Sequence, residues 1–188
     1  VHTSVSQGAG NRDGQARKSG IVNQGSATER ARVAKRCTAP ELLTELAGDR
    51  AASVRATVAA NRQTPPELIA QLALHDKEAK VRVAAVSQCR DADVVKQALN
   101  DSDKTVRITA ASSPVWRKYQ DRRTHYNQEF LSWIADSGDE EVRSIAAKHC
   151  ESVSLQHQLM HDPSVLVQRA LASNQSLSTD DKLIMVRI

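Results

Sequence analysis

Five segments of this 188-residue chain repeat one another at a spacing near 25 residues, and that self-similarity restricts the possible fold more than any other feature. SVRATVAAN (53–61), KVRVAAVSQ (80–88), TVRITAASS (105–113), EVRSIAAKH (141–149) and LVQRALASN (166–174) align on Val54, Val81, Val106, Val142 and Val167, at intervals of 27, 25, 36 and 25. Five residues before each valine stand Asp49, Asp76, Asp101, Ser137 and Asp162; one residue after it stand Arg55, Arg82, Arg107, Arg143 and Gln168. Small or apolar residues fill the fourth and fifth positions after each valine, as in Val58-Ala59 and Ala110-Ala111.

Upstream of each segment lies a second apolar motif: PELLTELA (40–47), PELIAQLA (66–73), DVVKQAL (93–99), EFLSWIA (129–135) and the weaker SVSLQHQLM (152–160). Apolar pairs such as Leu42, Leu43, Leu46 and Ala47 line one side of a short helix. Thr64-Pro65-Pro66-Glu67 reads as a cap followed by first-turn prolines and an acidic residue at the positive helix end. Each copy is thus a short helix, a turn at the aspartate and a second helix starting near the Val-Arg pair. Asn61 and Asn174 stand where that second helix should end, a place suited to a residue that tolerates left-handed backbone. About 25 residues bury too little apolar surface to fold alone, so the copies must stack. SLSTDDKLIMVRI, at the end, reads as the first helix of a further copy.

The run P-E-L-L-x-x-L-A, then D-x-x-x-x-V-R-x-x-V-A-x-N, then T-P-P-E-L resembles the bacterial leucine-rich repeat variant family, a relative of HEAT-like solenoids. The likeness is good over residues 28–114 and weaker over 127–188. It implies an all-α fold, an α-solenoid wound as a right-handed superhelix of about five to six two-helix repeats. A member of that family carries a cysteine cluster for an iron–sulphur centre before its repeats. This chain has no C-x-x-C, so no cofactor is expected.

At 3% aromatic residues, the core must be built of Leu, Ile, Val and Ala, which suits packed helices. The net charge of +4 is uneven: residues 1–36 carry +5, leaving residues 37–188 at −1, so the basic balance is not a surface-wide polyanion footprint. Residues 1–27, rich in Gly, Ser, Gln and Asn, read as a flexible arm ahead of a repeat domain over 28–188. With no apolar run of about eighteen residues and no cleavable leader, the expectation is a cytoplasmic protein without membrane contact.

The Asp and Arg columns could be mistaken for catalytic groups. Their recurrence in every copy argues for a structural ladder, because an active site is needed only once. Cys37, Cys89 and Cys150 occupy nearly the same slot in different copies, on the order of 20 Å apart at helix spacings of about 8–10 Å, too far for a disulfide or shared metal. They read as reduced, half-buried fillers. His157 and His161 lie at i, i+4 without the H-E-x-x-H order, and His149 is near them. No nucleophile–base set or phosphate loop is present, so no metal site and no catalytic residues are assigned.

Every Phe, Tyr and Trp falls between Trp116 and Trp133. The 36-residue interval places an insertion of about 11 residues at roughly 115–126. Phe130 occupies the column of Leu42 and Leu68, with Trp133 expected to pack beside it in the core. Trp116, Arg117, Lys118, Tyr119, Arg122, Arg123, His125 and Tyr126 lie off the repeating columns and have two readings: a longer loop folding its own aromatics onto the solenoid to cover a slip in the repeat, or a protrusion whose mixture of Trp, Tyr and Arg concentrates binding energy at an interface. The favoured reading is a non-catalytic module that binds a protein partner through its repeat surface and this insert. The alternative is a nucleic-acid-binding HEAT-like protein resembling DNA-alkylation repair glycosylases, with Asp121 beside Trp116 and Tyr119, and basic residues on phosphates. The −1 balance of residues 37–188 weighs against it.

Overall fold

The structure is a computed structural model that describes residues 25–120 and 123–185, with side chains outside 118–125. The arm predicted over 1–27 therefore lies outside the described residues up to position 24. Two compact units divide the chain at Arg90. Both are built from stacked helix pairs, the all-α repeat architecture of an α-solenoid.

The first unit holds α1 (Ala27–Arg36), α2 (Pro40–Ala47), α3 (Ala52–Ala59), α4 (Pro66–His75) and α5 (Ala79–Gln88). Ser26 and Glu29 form a capping box at the start of α1, the Glu29 carboxylate accepting the Ser26 N–H at 2.8 Å. Proline opens α2 and α4, where its missing N–H leaves no intrahelical bond unmade. Thr64 is not the cap of α4: Pro65 holds that position, and the Thr64 hydroxyl donates to the Val58 carbonyl at 2.6 Å, closing the end of α3. The second helices stack on one another, α1 on α3 on α5, and bury Ala34, Val54, Val58, Val81 and Val86.

The second unit holds α6 (Ala92–Ala98), α7 (Lys104–Ala111), a 3₁₀ turn (Pro114–Trp116), β1 (Arg117–Gln120), β2 (Arg123–Tyr126), α8 (Gln128–Ala135), α9 (Glu140–His149), α10 (Val153–Met160), α11 (Val165–Ala172) and α12 (Thr179–Met185). Asp91, Asp103, Asn127, Asp139, Ser152 and Ser164 cap successive helices with side-chain oxygens. The insertion is an antiparallel hairpin, with Arg117 opposite Tyr126 and Gln120 opposite Arg123. This hairpin is the departure from helix among the described residues, and the Trp116 carbonyl takes the Asn127 N–H at 2.7 Å across its base. No helix among the described residues is long and apolar enough to cross a membrane.

The Asp and Arg columns form a ladder. Arg55 donates to Asp76 from Nε at 2.6 Å and from Nη2 at 2.8 Å, while its Nη1 reaches back to the Asp49 carbonyl at 2.8 Å. One guanidinium thus ties the turn of its own repeat to the next. Arg143 repeats the arrangement with Asp162 and the Ser137 carbonyl. Arg30 does the same with Asp49 and the Gly25 carbonyl, a rung the sequence pattern missed because Glu29 stands where the column has valine. At the last copy Gln168 keeps only the inner bond, to the Asp162 carbonyl at 2.9 Å, since it carries no charge to pair.

The asparagines act over a longer range than a local cap. Asn61 Nδ2 donates to the Ala34 and Cys37 carbonyls at 2.7 and 2.8 Å, and Asn174 Nδ2 to those of Ala147 and Cys150, both at 2.8 Å. Each amide satisfies orphan carbonyls at the end of a helix one repeat earlier. The three cysteines are buried, not half-buried as expected.

Candidate functional site

The hairpin takes its position from Trp116 and Tyr126. The Trp116 indole stacks on Phe130 with ring centroids 4.2 Å apart and planes 7° apart, and its N–H donates to the Ala110 carbonyl at 2.8 Å. Both polar and apolar parts of this ring are engaged within the fold, which anchors the insertion to α7 and α8. Tyr126, at the other strand end, lies against His149 of α9 with centroids 4.5 Å apart. The Arg117 guanidinium sits 5.1 Å from the Tyr126 ring centre, and its Nη2 donates to the Tyr126 hydroxyl at 3.1 Å. Burial, with Lys148 and Arg117 adding to it, lowers the pKa of His149 and keeps the ring neutral beside two cations.

Of the residues assigned from sequence, Trp116, Arg117 and Tyr126 are thus brought together at the hairpin base. Lys118 and Tyr119 lie on β1, and Arg123 and His125 on β2. Arg122, with Asp121 of the alternative reading, falls outside the described residues.

Sequence reasoning missed a second feature of this unit. Trp133, expected in the core beside Phe130, contacts that ring at 6.3 Å but remains 45% exposed. Its ring lies under the Lys96 ammonium of α6, 5.1 Å from the centroid. Beside it opens a cleft of about 500 Å³ lined by Leu99, Asn100, Ile134, Asp136 and Val142. It continues into a second of about 620 Å³ reached by Lys104, Arg107, Glu140 and Glu141. The cleft lies at the junction that the hairpin interrupts. There the Arg107–Asp139 rung is the most exposed of those described, with the arginine side chain 23% accessible against 5% for Arg30 and 7% for Arg55. The signal available in sequence was the 36-residue interval itself. A pattern of positions within one helix does not report how closely the next repeat approaches.

His157 lies 3.8 Å from Asp181, and the His161 ring nitrogen contacts the His157 carbonyl at 3.0 Å. Among the described residues no group of three His, Cys, Asp or Glu side chains is arranged to hold a metal ion.

No family model and no curated protein matches the sequence. Among solved structures, the fold is similar to a leucine-rich repeat variant with a novel repetitive structural motif. That match has a TM-score of 0.67 and 23% identity, covering 89% of this chain and 68% of the other. It is also similar to YibA of E. coli, with a TM-score of 0.53 and 16% identity over 92% of this chain and 75% of that one. At these identities the likeness is one of fold: the chain is an α-helical repeat protein built like the leucine-rich repeat variant.

Proposed function

We propose that the chain is a non-catalytic scaffold that binds a protein partner, with the hairpin as a principal contact surface. The supporting observation is the division of labour among its residues. The recurring Asp, Arg, Val and Asn positions are consumed in joining one repeat to the next, whereas Arg117 and Tyr126 stand on an element that no other repeat has. Side chains of this type contribute disproportionately to protein interfaces. We place the protein in the cytoplasm, a reading supported by Cys37 and Cys150, which are buried and not joined in a disulfide.

Affinity capture after crosslinking tests the proposal. The native chain is compared with one in which residues 118–125 are replaced by Asn-Gly. A protein recovered in stoichiometric amount by the first and lost from the second supports the reading. Capture at 50 and 200 mM salt separates it from the nucleic-acid alternative, because neutralising several phosphates makes affinity fall steeply over that range. Recovery dominated by nucleic acid and abolished at the higher salt would replace this reading with the other.

A further inference from the structure

The Trp133 cleft is distinct from the hairpin and has a recognisable chemistry. Its floor is apolar, made by Leu99, Ile134 and Val142, all buried. Its mouth carries an exposed indole whose face already holds a cation, the Lys96 ammonium. The turn between α8 and α9 supplies Asp136 and the start of α9 supplies Glu140, while Glu141 is paired with Lys104. Gly138 at the centre of that turn has nothing within 4 Å of where a Cβ would stand, so the approach is open.

The charge of the surrounding surface agrees. Residues 91–185, the hairpin included, carry 14 acidic and 11 basic side chains, a formal −3. Most cations near the cleft are spent internally: Arg107 on Asp139, and Lys104 on Glu141 at 2.6 Å. Among the described residues the Lys96 ammonium rests on the indole face and has no carboxylate partner. An intramolecular ammonium on an exposed indole is readily exchanged for a planar, less hydrated guanidinium, which stacks better.

We propose that this cleft docks an extended basic segment of a protein partner, with an arginine or lysine displacing Lys96 from Trp133 and a neighbouring aliphatic side chain resting on Leu99, Ile134 and Val142. The proposal rests on the protein-partner reading above but uses a surface separate from the hairpin. Asp136 and Glu140 then lie on the side from which the incoming cation gains electrostatic attraction.

Panning a random-peptide display library on the immobilised full chain tests it, followed by titration of the selected peptides against variants. The expected selection is enriched in Arg or Lys next to an aliphatic residue. Trp133→Leu, which keeps an apolar side chain at a half-exposed position, should weaken binding about ten-fold while leaving the melting temperature nearly unchanged. Lys96→Met, which removes the internal competitor, should strengthen it about three-fold. Arg117→Ala with Tyr126→Ala should leave it unaltered. Selection of acidic peptides, weaker binding by Lys96→Met, indifference to Trp133→Leu, or no selection at all would overturn the cleft proposal. Peptides that bind but are lost only with the Arg117 and Tyr126 changes would overturn it while preserving the hairpin as a partner surface.

Discussion

Arg107 pairs with Asp139 across 32 residues of chain, whereas Arg30–Asp49, Arg55–Asp76 and Arg143–Asp162 pair across 19, 21 and 19. The hairpin is looped out of the stack and the rung closes around it. The column predicts Ser137 at this place, and the two residues share the work. The Ser137 hydroxyl accepts the Asp139 N–H at 3.2 Å, while Asp139 takes the arginine on Oδ2 and caps α9 with Oδ1.

Asp139→Asn preserves the cap but leaves Arg107 without an anionic partner. Because the rung is partly accessible, the expected cost is about 1–3 kcal/mol, and Ser137→Ala should cost less than about 1 kcal/mol. Urea unfolding of the two variants reads the difference. Equal losses would mean that the serine, not the aspartate, closes this rung.

Asn174→Gly separates two accounts of that position. A residue needed only for left-handed backbone is well replaced by glycine. Loss of the Nδ2 donors, by contrast, strands the buried Ala147 and Cys150 carbonyls and should cost about 2–3 kcal/mol. Thermal unfolding should show a fall of several degrees, and an unchanged midpoint would restore the local-cap account.

Burial pushes the Cys150 thiol up to about 11, outweighing the hydrogen bonds made to its sulphur. At pH 8 it is therefore almost wholly protonated and sterically covered. Iodoacetamide at that pH should leave Cys150 unmodified in the native chain and label it fully in urea, as read by peptide mass spectrometry.

His149 has its pKa lowered by burial, with Lys148 and Arg117 adding to the effect. The unfolded chain thus binds a proton more readily than the folded one, so stability is full above about pH 6.5 and declines as the pH falls through that value toward the folded pKa. Urea midpoints at pH 7.5 and 5.5 should differ for the native chain, and His149→Phe should reduce the difference while retaining a ring against Tyr126.

The repeats were legible because their columns are local in sequence: Val54, Arg55 and Asp49 lie within six positions, and each copy prints the pattern again. What escaped was relational. Asn61 and Asn174 bond carbonyls 24 and 27 residues earlier, beyond any local pattern. Arg30 was hidden by a single departure at Glu29. Trp133 follows Phe130 by three positions on one helix, which places it correctly beside that ring. Its exposure depends instead on what the neighbouring α6 and α7 cover, which the positions within one helix do not report. For the same reason the cleft has no counterpart in any single stretch of sequence.

Recurring residues maintain the stack, and the hairpin is an addition to it. Since Arg117 pairs with Tyr126, Asn-Gly in place of 118–125 gives a two-residue hairpin turn that retains both anchors. The measurement is thermal unfolding of that shortened chain beside Arg55→Ala, which leaves Asp76 buried without its partner at a cost of about 3–5 kcal/mol. At roughly 2–4 °C per kcal/mol for a chain of this size, the prediction is a midpoint within about 3 °C of native for the shortened chain and a loss of about 10 °C for Arg55→Ala. The reverse order, with the shortened chain melting first, would contradict it.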